Sequence, residues 1–228
     1  MTNLLSVCII HPRTANLSRL ISRLPKGTQI VSCAVEQRDE YDEQFEIIAN
    51  TQNIVSIRYY YKDYGIDFDF AQIRNKMDEL ASGTWCLHID SDEYLGTFPE
   101  DAIAEIQAID EAGAVGGWIT ISGLMYDTSH EDRVRERYSL HAGRLHKRNS
   151  GLFWEGICHE ALTSHDETTA FVDTDIVLIH DGYKIDSDGF EDKGTRNGKL
   201  LIREYTRKPS KRAWNYLIKT FSTLRVKE

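Results

Sequence analysis

Apolar and polar residues fall into blocks along this chain. Residues 4–10 are a continuous apolar run of the kind that suits a central parallel strand covered on both faces, and Pro12 ends it. Leu17, Leu20, Ile21 and Leu24 then recur at helical spacing, with Thr14 or Asn16 as a cap and Pro25-Lys26-Gly27 as a terminator. Residues 29–35 read as a second strand, the surroundings of Phe45, Ile47 and Ile48 as a short helix, and residues 54–59 as a third strand. This alternation predicts right-handed crossovers and an α/β, Rossmann-like, mostly parallel sheet flanked by helices.

The next blocks place chemistry on that frame. Residues 59–69, aromatic and acidic, read as a loop over the carboxyl edge of the sheet, either packed on the core or walling a ligand. In FDFAQIRNKMDELASGTWCLHIDSDEYL a helix begins near Ala71, Gly83 stops it, and a strand over residues 85–89 runs into Asp90, Ser91, Asp92 and Glu93. Ligands of open α/β sheets bind beyond the carboxyl ends of strands, so this turn delivers carboxylates to where a site is expected. Two aspartates one residue apart project to the same side of an extended backbone, where they can share a hard cation with diphosphate oxygens.

The second half is less regular. Pro99 suits a first helical position, and Ala102, Ile103, Ile106 and Ile109 form a stripe ending near Gly113. Residues 115–126 are rich in β-formers, residues 127–137 read as a solvated, mobile loop of alternating charge that can close over substrate, and residues 139–146, 151–157 and 171–179 read as strands. From Lys193 onward the acids are Glu204 and Glu228 alone, and the pattern is helical. Its apolar side, Leu200, Leu201, Tyr205, Trp214, Leu217, Ile218 and Phe221, either packs on the domain and leaves a solvated basic face, or the basic side holds a polyanion or anionic lipid.

Composition narrows this picture. With 228 residues, 41% of them hydrophobic, the chain fills one core and is short for two. A net charge of −9 speaks against wrapping a polyanion with the whole surface, so any anion-binding face is local. Cys8, Cys33, Cys86 and Cys158 are widely spaced, three of them in expected strands, as in a reduced, cytoplasmic protein. The opening MTNLLSVCII lacks a basic leader region and reads as a core strand rather than a signal peptide, and no run approaches the ~20 apolar residues of a transmembrane span.

Two histidine–acid pairs, His159-Glu160 and His180-Asp181, stand out. The second ends a strong apolar strand, where imidazole can join carboxylates and phosphate oxygens on a metal; both pairs equally suit satisfied structural histidines.

The order of these blocks resembles family 2 glycosyltransferases of the GT-A fold. Arg74-Asn75 matches that family's Arg-Asn pair, and Asp90, Asp92 and Glu93 its acidic block. Arg144-Leu145, Gly156-Ile157-Cys158-His159-Glu160, His180-Asp181-Gly182-Tyr183 and Arg196-Asn197-Gly198-Lys199-Leu200-Leu201 follow in the family's order, so the resemblance covers roughly residues 4–201. One departure is Ala34-Val35-Glu36-Gln37-Arg38-Asp39, where many members carry a Gly-Ser-Thr-Asp-like turn for the nucleotide; UDP is the default donor nucleotide.

The resemblance implies a single GT-A domain over residues 1–228, with a nucleotide-sugar half (1–95), an acceptor half (96–190) and basic C-terminal helices (191–228). It implies an inverting hexosyl- or pentosyltransferase that uses Mn²⁺ or Mg²⁺ held by Asp90, Asp92 and His180. Pro12, Arg13, Glu36, Asp39, Arg74, Asn75, Asp90, Ser91 and Tyr183 would bind the nucleoside-diphosphate sugar, with Asn75 either touching it or orienting its loop. Glu160 is the expected general base and Asp181 the next candidate. His159, Trp154, Arg207, Lys208, Lys211 and Arg212 would bind a hydroxyl acceptor, of which a nucleic acid, a lipid-linked glycan and a surface glycan are candidates. The competing classes are a nucleotidyltransferase or metal-dependent phosphodiesterase, in which two metals polarise a phosphate, and a non-catalytic sugar-nucleotide binder.

Overall fold

The strand Trp85–Asp90 is buried on both faces, and each face looks at a different helical layer. Trp85, Leu87 and Ile89 join one core cluster with Val7, Ile9 and with Ala102, Ile106 and Ile109 of the helix Pro99–Glu111. Cys86 joins the other cluster with Cys8, Cys33, Ile73 and Met77 of the helix Phe70–Leu80, and Leu200 and Leu201 further on. A strand sandwiched in this way has no polar face, which is why its sequence is a run rather than an alternation.

A computed structural model describes residues 3–12, 17–36, 54–60, 69–127, 130–166, 169–180 and 187–223. In chain order the elements are β1 Leu5–Pro12, α1 Ser18–Ser22, β2 Gln29–Glu36, β3 Ile54–Tyr60, α2 Phe70–Leu80, β4 Trp85–Asp90, β5 Glu93–Leu95 and α3 Pro99–Glu111. They continue with β6 Gly116–Asp127, β7 His130–Lys147, β8 Leu152–Glu155, β9 Ala161–Ser164, β10 Phe171–His180, α4 Ser187–Arg207 and α5 Lys211–Thr223. Eight strands share one sheet in the order β3-β2-β1-β4-β7-β6-β10-β5, and β8 and β9 form a separate two-stranded ribbon. β3, β2, β1 and β4 pair in parallel, and β6 and β10 keep that direction because the intervening β7 is antiparallel to both β4 and β6. The carboxyl ends of β1, β2, β4 and β10 therefore open on one edge.

Several expectations meet their elements within a residue or two. The helix expected near Phe45 and most of the aromatic loop of residues 59–69 lie outside the described residues, as do the proposed caps Thr14 and Asn16; α1 begins behind Leu17, which makes no side-chain cap. Residues 130–137 correct the reading as a loop: they are the first part of β7, paired with the end of β6. Alternating charge is also the pattern of a two-sided solvated strand, and the β-formers of β6 supply its partner. The C-terminal helical region also starts earlier than Lys193, at Ser187.

Gly83 shows how tightly the layers meet. Helix α2 ends at Leu80, before this glycine, and the Gly83 N–H donates to Ser6 Oγ at 2.8 Å. A Cβ built on Gly83 would lie 2.5 Å from the Ser6 backbone nitrogen. Gly83→Ala is therefore expected to cost about 1–3 kcal/mol of stability, through a forced shift of β1 against β4. Urea unfolding of the variant checks it, read as a lower midpoint at an unchanged slope.

Candidate active site

Helix α2 lies across the sheet face that carries Cys86, His88 and Asp90, the alternate residues of β4. Four helical residues rise about 6 Å and two strand residues about 6.6 Å, so a pair spaced by four on α2 can meet a pair spaced by two on β4. Arg74 and Asp78 are that helical pair. Arg74 Nη2 donates to Asp90 Oδ1 at 2.8 Å, and His88 Nε2 lies 2.7 Å from Asp78 Oδ1.

The Arg74 side chain is 2% exposed, and its charge is met from two directions. Besides Asp90, it binds Glu160 Oε1 through Nε at 2.6 Å, and its Nη1 lies 3.3 Å from His88 Nδ1. Burial on its own would lower the guanidinium's pKa, but the Glu160 and Asp90 carboxylates raise it above the ordinary value. Asp90 is held on its second oxygen by Arg144 Nη2 at 2.9 Å. Burial pushes the Asp90 carboxyl up, and Arg144 and Arg74 outweigh that to hold it well below the usual carboxylate range. Arg144 sits where the register between β6 and β7 shifts, since Gly117 faces Leu145 while Trp118 faces Gly143. Such a bulge re-aims a side chain, and here it turns a guanidinium into the site.

The turn after β4 is held by its own acids. Glu93 Oε2 accepts from the Asp90 N–H at 2.9 Å, and burial, then the neighbouring Asp90 charge, raises the Glu93 pKa against the pull of Arg144. Asp92, with its side chain 43% exposed, faces His180 Nε2 at 3.2 Å. His180 ends β10 and pairs in register with Glu93, so two distant blocks meet at one edge. Asp90, Asp92, Glu160, Arg74 and His180 are thus gathered on one rim.

Glu160 is delivered by a loop clamped on both sides. The Phe70 N–H donates to the Ile157 carbonyl at 3.1 Å, and the Ile157 N–H donates to Glu204 Oε2 on α4 at 2.7 Å. Gly156 has φ +105°, and a Cβ there would collide with the Arg212 guanidinium, so this turn requires glycine. His159, at φ +53°, stacks on Tyr216 with ring centroids 4.7 Å apart.

Other expected residues take different places. Asn75 is bound to the backbone of Trp154: its carboxamide accepts from the Trp154 N–H at 2.8 Å and donates to the Trp154 carbonyl at 2.9 Å. The Trp154 side chain is buried at 3% exposure, edge-on to His88 at 4.8 Å and beneath the Arg74 guanidinium. A large ring there fills the space under a buried cation. Lys208 pairs with Glu155 at 2.9 Å and Arg212 with Glu204 at 3.4 Å, while Arg207 and Lys211 are exposed. Pro12 and Glu36 end β1 and β2 at the same edge, Ser91 lies in the turn after Asp90, and Arg13, Asp39, Asp181 and Tyr183 lie outside the described residues.

The sequence reading missed what lies beneath. Asp78 also meets His146 Nε2, at 3.1 Å from Oδ2, and the ligand-type atoms of Asp78, His88 and His146 lie within 4.8 Å of one another. A metal there conflicts with Arg74: His88 ligating through Nε2 would carry its proton on Nδ1 and aim it at the Arg74 Nη1 donor. With Nε2–H on Asp78 and Nδ1 accepting from Arg74, both His88 nitrogens are matched, and the cluster is a buried brace for Arg74. The signal was available as Asp78 at four residues from Arg74 and His88 at two from Asp90.

A cleft of about 1000 Å³ lies elsewhere, between α2, residues 154–157 and the α4–α5 junction, and Asp90, Asp92, Glu160 and His180 do not line it. Charge and convergence, not volume, place the candidate site at the rim.

No family model matches the sequence, and no curated protein matches it. Among solved structures, S. aureus TarS 1-349 in complex with UDP-GlcNAc has a TM-score of 0.50 at 12% identity, covering 96% of this chain and 71% of that one. The same protein in complex with UDP has a TM-score of 0.52 at 14% identity, covering 87% and 65%. The chain thus spans about two thirds of their length, and the likeness is one of fold: the curled mixed sheet between helices is GT-A-like.

The brace makes a pH prediction. Burial, with help from Arg74 and against Asp78, depresses the His88 pKa from 6.5 to about 4, so the folded protein holds this imidazole neutral while the unfolded chain protonates it. The resulting stability is complete above pH 6.5 and is lost as pH falls from there toward 4, about 3 kcal/mol in all. Denaturant unfolding at pH 7, 6 and 5 checks it: stability should fall steadily in wild type and fall less in His88→Phe.

Proposed function

We propose that this protein transfers a sugar from a nucleoside-diphosphate donor, UDP by default, to a hydroxyl acceptor, with inversion and with a divalent cation. The observation that supports this most is the rim itself: a carboxylate fixed by a buried arginine, Glu160, faces the same edge as Asp90 and the exposed Asp92–His180 pair. The GT-A-like fold adds support, since TarS, which shares it, has been solved with UDP-GlcNAc and with UDP.

The acceptor oxygen attacks the anomeric carbon as the bond from that carbon to the diphosphate breaks, and the diphosphate leaves with the electron pair. The hydroxyl proton passes to Glu160, whose Oε1 is taken by Arg74 and whose Oε2 is the receiving oxygen. Asp181 is the alternative base. One displacement inverts the centre. Arg74 and Arg144 fix Asp90 and add positive charge beside the leaving group. Asp92 and His180 fit a cation because one exposed carboxylate and one imidazole face each other at 3.2 Å, and Asp90 keeps a lone pair on each arginine-bound oxygen. Mn²⁺ or Mg²⁺ bound there would neutralise charge developing on the diphosphate.

A panel of nucleotide sugars with Mn²⁺, scored for release of nucleoside diphosphate, tests the reading. Glu160→Gln should keep donor affinity and lose transfer by about 100-fold or more, the usual worth of a positioned base. Normal transfer in that variant moves the base to Asp181. Asp92→Asn should remove the stimulation by Mn²⁺ with the fold retained, and unchanged metal dependence would remove Asp92 and His180 from the cation site.

A further inference from the structure

The two C-terminal helices turn part of their apolar surface outward. Leu200, Leu201 and Ala213 are buried against the domain, but Ile202, Trp214 and Ile218 are 47%, 46% and 51% exposed. This corrects the expectation that Trp214 and Ile218 pack inward. Trp214 meets Tyr205 at 5.4 Å between ring centroids, which joins the α4 and α5 stripes into one patch; Ile202 lies a turn before Tyr205, and Ile218 a turn after Trp214.

Among the described residues, the exposed charge that α4 and α5 show around this patch is basic. Among the described residues from Thr195 to Thr220, none of the exposed side chains is acidic, while Lys199, Lys211 and Lys219 stand at one turn or less from the exposed apolar residues. The acid of that stretch, Glu204, is drawn inward onto the Ile157 N–H and Arg212. The chain's net charge is −9, yet among the described residues the face that shows half-exposed Ile202, Trp214 and Ile218 carries exposed lysines and no exposed acid of α4 or α5.

We propose that this face docks on an anionic lipid bilayer, with Trp214, Ile202 and Ile218 in the headgroup–acyl boundary and the lysines on lipid phosphates. Tryptophan with branched aliphatics flanked by lysine is the chemistry of an interfacial helix pair. Single-stranded nucleic acid uses planar stacking surfaces, and isoleucine offers none. A two-fold pairing of the patch with itself would set its lysines against one another. No helix among the described residues is long and apolar enough to cross a membrane, so the contact is peripheral. The inference goes beyond the transfer reaction and is tested without substrate.

The experiment is flotation of the full chain with phosphatidylcholine vesicles and with vesicles containing 30% phosphatidylglycerol, at 0.1 M and 0.5 M salt. Wild type should float with the anionic vesicles at low salt, stay down with the neutral ones, and be released at high salt. Lys199→Glu with Lys211→Glu should weaken binding by about 25-fold or more, at about fivefold per lysine lost. Trp214→Ser with Ile218→Ser should reduce it at least tenfold, with circular dichroism unchanged. Absence of anionic-vesicle binding at low salt overturns the proposal, as does equal binding by both variants. A concentration-dependent dimer that the Trp214 and Ile218 substitutions abolish, without vesicle binding, assigns the face to a second copy; single-stranded RNA binding lost in the lysine variant, without vesicle binding, assigns it to nucleic acid. Either outcome overturns the lipid assignment.

Discussion

A buried guanidinium cannot stay in a fold unless carboxylates come to it, and Arg74 draws them from 16 and 86 residues away. Removing one partner of such a pair typically costs about 3–5 kcal/mol, because the remaining charge is stranded out of water. That requirement ties the central strand, through Asp90, to the loop after β8, through Glu160. The helix neighbours of Arg74 serve the same end: Asn75 holds the backbone of Trp154, Phe70 holds Ile157, and Asp78 holds His88 and His146. About two and a half turns of α2, from Phe70 to Asp78, therefore organise the charged edge.

The arrangement divides the acids by role. Asp90 is pinned on both oxygens and acts as a fixed counter-charge to two arginines. Glu93 is buried and holds the turn, and Glu160 offers one oxygen to Arg74 and one to the reaction edge. Asp92, with His180 behind it, is the exposed member, where we propose the cation. A site with this much built-in charge holds its groups in place before any ligand arrives.

How much of this the sequence disclosed depends on how local each signal is. The strands of the sheet were legible because burial on two faces leaves a run of apolar residues, as in Leu5–Pro12 and Trp85–Asp90. Asp90 and Asp92 were legible because a strand carries the residues at its carboxyl end to one edge of the sheet. Arg144 was not singled out as a site residue, because a bulge rather than periodicity aims it, and a bulge leaves no mark in an apolar pattern. The burial of Trp154 was hidden for a related reason: an aromatic residue two positions before a glycine turn looks exposed until the cation above it is known. The charged run at 130–137 misled because alternation of charge serves a loop and a solvated strand equally, and only the partner β6 decides. Trp214 and Ile218 share a helical stripe, but which side of α5 faces the domain depends on how α4 is seated.

We propose that donor chemistry happens at the charged rim and not in the cleft beside α2. The most direct measurement is a crystal structure of the protein soaked with UDP and Mn²⁺. A diphosphate is expected at the carboxyl end of β4, with its cation on Asp92 and His180 and its oxygens within reach of the arginine-held Asp90. Nucleotide bound instead between α2, residues 154–157 and the α4–α5 junction, with the rim left to its internal ion pairs, would contradict it.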